Sequence, residues 1–149
     1  DPTFLQLGSY IYIFCNLKNK PIENLYVFWS EGIDDLFQPH TMNPVVIDIY
    51  SSRMAGNIII ENDNLYRLGQ INKNEYGDGI SICKIDKLTP YHYQEIYLNE
   101  IKFAKSYGPH TFNIFEDKCV SDFYEIKFNI FSLVYRVIQL FSKLFRKNK

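Results

Sequence analysis

The chain has 149 residues, 46% of them hydrophobic and 22% charged, with a formal net charge of −1. That length suffices for one domain with its own core, and the charge balance excludes a general electrostatic attraction to nucleic acid. No apolar run reaches the roughly 18 residues that a membrane-spanning helix requires.

Cys15, Cys83 and Cys119 have no CxxC spacing and no nearby His. They signal neither a disulfide framework nor a zinc site, and read as buried thiols of a reducing compartment. The first residues carry neither a positive n-region nor an initiator Met, so Asp1 reads as an interior point of a longer protein. A cytoplasmic, membrane-peripheral location is expected. The aromatic share of 17%, from 12 Tyr, 12 Phe and one Trp, favours strands and suits sugar-lined clefts.

In chain order, Thr3 to Leu7 and Tyr10 to Cys15 flank Gly8-Ser9 and read as a tight hairpin. The polar stretch Asn16 to Asn24 is a loop, and Leu25 to Ser30 is a third strand. Phe37 to His40 supplies a short fourth. Across Met42 to Val46 the chain passes to Arg53. Two apolar runs, Asn57 to Ile60 and Leu65 to Leu68, enclose Glu61-Asn62-Asp63-Asn64, a hairpin pattern again. Gly79 to Ile85 and Tyr93 to Leu98 follow, divided by a turn containing Pro90.

Each meander has four strands, and the two recur at a spacing near 50 residues, which fits the blade of a β-propeller. A third unit starts at 107–114 and 119–126. From Ile130 the apolar residues Phe131, Val134, Ile138, Phe141 and Phe145 recur at helical spacing, with cations on the other side. The expected fold is therefore all-β, part of a five-bladed propeller over residues 1–126, with a C-terminal amphipathic helix over 127–149. That helix either packs on the sheets, its terminal cations complementing its dipole, or docks on an anionic membrane surface.

The segments FWS, LFQPHTMNPVVID, SSRMAGNIII, LYRLGQ, YGDGISICKIDKLTPYHYQE and GPHTFN occur in an order that resembles the N-terminal domain of glucosamine inositolphosphorylceramide transferases and their bacterial relatives. That domain is itself similar to the five-bladed propellers of family-43 and related glycoside hydrolases. The likeness covers residues 1 to about 126, with Ile71 standing where the family tends to an acidic residue. It implies a carbohydrate-active domain that acts on or binds a glycan or glycolipid, as a glycoside hydrolase or in association with a glycosyltransferase. A non-catalytic glycan-binding or scaffolding module, a truncated remnant of such a domain, is the alternative. The partners implied are a carbohydrate or glycolipid, together with further blades or a second copy of the chain.

In a propeller the innermost strand of each blade lines the central channel. The inner strands here start at Asp1, Arg53 and His110, which are the candidates for one polar cluster. Asp1 precedes Pro2, and through the resemblance it stands for a channel carboxylate. Glycoside hydrolysis needs a second one. His110 has the chemistry of an acid, a base or a hydroxyl donor, or of a residue that holds a turn. Arg53 suits a carboxylate, a phosphate or a pair of sugar hydroxyls, or an ion pair between blades. Gln70, Tyr76 and Asn113 complete the substrate-binding candidates as neutral hydrogen-bonding side chains. Strand alternation sets Arg67 on the face opposite Gln70. No phosphate loop, HExxH, GxSxG or DxDxDG motif is present, so no metal or cofactor is expected.

Overall fold

A computed structural model describes residues 2–73, 77–102, 107–124 and 131. The fold is all-β and antiparallel. The first sheet runs β1 (Thr3–Leu7), β2 (Tyr10–Cys15), β3 (Asn24–Ser30), and then β4 (Gln38–Pro39) and β5 (Val46–Ile47), which share the outer edge of β3. The second sheet begins with a strand split into β6 (Arg53–Met54) and β7 (Ile59–Glu61), both paired with β8 (Asn64–Ile71). It continues through β9 (Gly79–Leu88) to β10 (Tyr93–Ile101). A hairpin of β11 (Tyr107–Phe115) and β12 (Lys118–Tyr124) follows. The expected C-terminal helix over 127–149 lies almost wholly outside the described residues. Among the described residues no helix is long and apolar enough to cross a membrane.

Turn chemistry accounts for most of these boundaries. Gly8 takes a positive φ between β1 and β2. Asn62 and Asp63 both have positive φ, the conformation of a two-residue hairpin turn that Asn and Asp tolerate. Two elements had no periodic signature because each spans only two residues, β5 and β6. In the first sheet, the gap between β4 and β5 is bridged by a side chain. Asn43 accepts the Val27 amide at 2.8 Å through Oδ1 and donates Nδ2 to the Val27 carbonyl at 2.7 Å, so its amide stands in for a strand residue. The Asn43-Pro44 peptide is cis.

The middle sheet is covered on both faces, as alternation along β8 requires. On one face Leu65, Ile85, Leu88 and Tyr93 pack with Met54 against Leu5, Tyr12, Phe14, Leu25 and Val27 of the first sheet. On the other, Leu68, Ile80 and Ala55 meet Phe112 of β11. His40 adds a polar tie between the first two sheets. Its Nε2 donates to the Thr89 carbonyl at 2.8 Å while Nδ1 accepts the Met42 amide at 3.1 Å. That tautomer is neutral, and burial holds its pKa below the ordinary histidine value. Of the three cysteines, Cys83 is buried and Cys119 is exposed, so the expectation of three buried thiols holds for Cys83 and not for Cys119. The exposure follows from its place on the outer strand of the hairpin.

Arg67 lies inside the face that meets the first sheet, with none of its surface exposed. Its Nε and Nη2 reach the two carboxylate oxygens of Glu95 at 2.7 and 2.6 Å, and its Nη1 donates to the Ser51 carbonyl at 2.6 Å. Tyr93 donates its hydroxyl to the same carboxylate at 2.5 Å. Burial alone would push the guanidinium pKa down, but the Glu95 carboxylate and neighbouring Tyr93 outweigh it and hold it up. A buried charge left without its partner is costly. Glu95→Gln is therefore expected to lower unfolding stability by about 3–5 kcal/mol in urea titrations. Replacing Arg67 and Glu95 together by Met should recover part of that loss, because no unpaired charge then remains.

Candidate functional site

The first strands of the three sheets are tied to one another. Thr3 Oγ1 donates to the Gly56 carbonyl at 3.1 Å, the Phe112 amide donates to the Ala55 carbonyl at 2.6 Å, and the Asn57 amide donates to Asn113 Oδ1 at 2.9 Å. Residues 53–57 thus run between β1 and β11. The approach is close enough to require glycine. A Cβ on Gly56 would lie 2.0 Å from the Phe112 carbonyl oxygen, and one on Gly69 would lie 2.2 Å from the Ser51 carbonyl oxygen. This gives a steric reason for Ala55-Gly56 after Arg53, and for Gly69 opposite Met54.

Around this junction the structure gathers several of the candidates. Arg53 and Gln70 are direct cross-strand partners, so their side chains leave the sheet on the same face. Gln70 is 2% exposed. Its Nε2 donates to the His110 carbonyl at 2.7 Å, and its Oε1 has no hydrogen-bond partner among the described residues. Arg53 is half-buried. Asn113 contributes its carbonyl oxygen Oδ1 to the Asn57 amide. Arg67 faces the other way, into the first sheet, so the guanidinium between sheets is Arg67, while Arg53 stands beside Gln70.

His110 is held at both ring nitrogens. Nδ1 lies 2.8 Å from the Gly108 carbonyl, and Nε2 lies 2.8 Å from Asp122 Oδ2. Asp122 Oδ1 accepts the Thr111 amide at 2.7 Å. Burial would raise the Asp122 pKa, but the hydrogen bonds from Thr111 and the adjacent His110 outweigh it and hold it below the ordinary carboxylate value. This carboxylate was absent from the sequence-derived candidates. Its signal is the register of a hairpin that pairs Thr111 with Asp122, which places the acid beside His110 and is fixed only once the turn at Glu116-Asp117 is known. Asp1 and Tyr76 lie outside the described residues. Among the described residues no group of His, Cys, Asp and Glu could hold a metal ion.

A family model described as "Glucosamine inositolphosphorylceramide transferase 1, N-terminal" matches residues 1–117. No curated protein and no solved structure matches the chain.

The depressed pKa of Asp122 has a consequence with a definite sign. The stabilisation from its ionised form is present above the ordinary carboxylate range and is lost as pH falls through the folded-state value. Asp122→Asn should therefore lower stability at pH 7 by a small amount, about 0.2–1 kcal/mol for a pair this exposed. Denaturation midpoints of the variant and the parent should converge as the pH is lowered toward 3.

Proposed function

We propose that this chain, which belongs to the family of glucosamine inositolphosphorylceramide transferase 1 N-terminal domains, holds the polar part of a glycan or glycolipid for a transferase. The observation that carries the reading is the junction of first strands, where Thr3 is bonded to Gly56 and Phe112 to Ala55, and Arg53 stands beside the buried Gln70 amide. Blades of a propeller meet by their first strands about a channel, and a propeller architecture is part of the proposal. So is a role for the 127–149 segment as an amphipathic helix at an anionic membrane surface, where a glycolipid is found.

In this reading Arg53 offers a fork of donors to a phosphate or to paired hydroxyls. Gln70 Oε1, which has no hydrogen-bond partner among the described residues, accepts from a hydroxyl. His110 and Asn113 shape the site, since the His110 ring is committed to Gly108 and Asp122 and Asn113 Oδ1 to the Asn57 amide. Asp1 and Tyr76 complete the proposed set. These commitments favour binding over catalysis. A general acid or base must be able to exchange its proton with the substrate, and both His110 nitrogens already face protein oxygens.

The test is calorimetric titration of the full chain with inositolphosphorylceramide in detergent micelles. Saturable binding is expected, and Arg53→Ala should weaken it by about tenfold, the scale of one charge-assisted hydrogen bond. Absence of saturable binding by the parent chain would refute the reading, and an unchanged affinity in the variant would remove Arg53 from the site.

A further inference from the structure

The β11–β12 hairpin presents an open edge. The Phe112 amide donates away from β12, to the Ala55 carbonyl, so Phe112 and its register partner Ser121 turn their backbone groups away from each other. Ser121 therefore aims its N–H and C=O at the outer side of β12, and by alternation Cys119 does the same. That side points away from the first-strand junction, and no described strand pairs with it. An open strand edge is a template for another strand, and folded proteins blunt such edges with proline or with repelling charges. β12 contains no Pro, and its charged residues are one Lys and one Asp.

The side chains of this edge are self-complementary. In an antiparallel pair centred on Val120, two copies of β12 set Cys119 opposite Ser121 and Lys118 opposite Asp122, while Val120 meets Val120. The pairs of Cys119 with Ser121 are then the hydrogen-bonded ones, as their outward groups require. Opposite charges directly across a strand pair stabilise it. Lys118 is exposed, and the Asp122 side chain is 44% exposed. Asp122 Oδ1 accepts the Thr111 amide and Oδ2 lies beside His110, and each oxygen keeps a second lone pair for a cation. Shifting the centre by one residue loses the match. Centred on Ser121, Val120 faces Asp122, and centred on Cys119, Glu116 faces Asp122. Val120 is 68% exposed, so the favoured register also withdraws an apolar side chain from water in each copy.

We propose that β12 is an interface between two copies of this chain, paired antiparallel about a twofold axis at Val120. The joint sheet runs β11-β12-β12-β11. It is four strands wide, as are the first two sheets, in which β4 and β5 share one position and β6 and β7 another. Twofold pairing closes on itself, because each copy uses its one edge once. The Arg53–Gln70 junction lies on the opposite side of β11 and takes no part, so the interface does not depend on the glycolipid reading.

The experiment is sedimentation equilibrium of the full chain under reducing conditions. The mass is expected to rise with concentration to twice the 17.7 kDa of the chain and no further. Lys118→Glu, which sets an acid opposite Asp122, should weaken association by at least about tenfold, and Lys118→Arg should retain it. In a Cys119→Ser background, Val120→Cys should form an intermolecular disulfide on mild oxidation, because residues opposed across a strand pair lie within disulfide range. Phe115→Cys in the same background should not, since Phe115 is exposed on the same face but sits on β11, one strand further from the axis. A chain that stays monomeric up to about 1 mM, as it would with its own residues 125–149 laid along β12, would overturn the proposal. So would larger open assemblies, association unchanged by Lys118→Glu, or equal cross-linking of the two cysteine variants.

Discussion

The contact on which the architecture rests is the bidentate pair of Arg67 and Glu95. A guanidinium with no exposed surface is tolerable only if its donors are occupied, because neither water nor a rearranged side chain can reach it. Here Nε and Nη2 are used by the carboxylate and Nη1 by the Ser51 carbonyl. The pair reaches from β8 across β9 to β10, passing Cys83, the register partner of Arg67. Burial pushes that thiol up to about 11, against the lowering effect of the adjacent Arg67. Apolar packing between the first two sheets is non-directional, and the fork of the guanidinium supplies the direction that fixes where β10 and the 48–52 loop lie.

From that loop the constraint passes to the junction of first strands. Ser51 is held by Arg67 and by Asp48, and Ser52 Oγ donates to the Glu23 carbonyl at 2.8 Å. Asn16 Nδ2 bridges the Asn24 and Ser52 carbonyls at 2.7 and 3.0 Å. Arg53 therefore starts from an anchored backbone, and the chain after it passes against β11 with no room for a side chain at Gly56. The site and the core are not independent here. The buried face of β8 sets the loop, and the opposite face of the same strand presents Gln70 beside Arg53.

The local grammar of the chain was readable without coordinates. Asn62-Asp63 between apolar runs fixes a hairpin because only residues tolerant of positive φ fit its turn. Alternation along LYRLGQ separates Arg67 from Gln70 because the side-chain period of a strand is two. The ordered motifs around Asn43-Pro44, Ser52-Arg53-Met54-Ala55-Gly56 and His110-Thr111 carried the family, since each serves a specific backbone demand. Asn43 fills a gap in a sheet edge, and Gly56 permits a close approach.

What the tertiary structure decided were the pairings between residues distant in sequence. Arg67 and Glu95 are 28 positions apart, and the sequence holds 17 acidic residues among which nothing local selects Glu95. The partner of His110 depended on hairpin register. Secondary structure follows from short-range sterics and periodicity, which a sequence carries in each window. The choice of partner across a core follows from the simultaneous packing of every sheet, which no window contains.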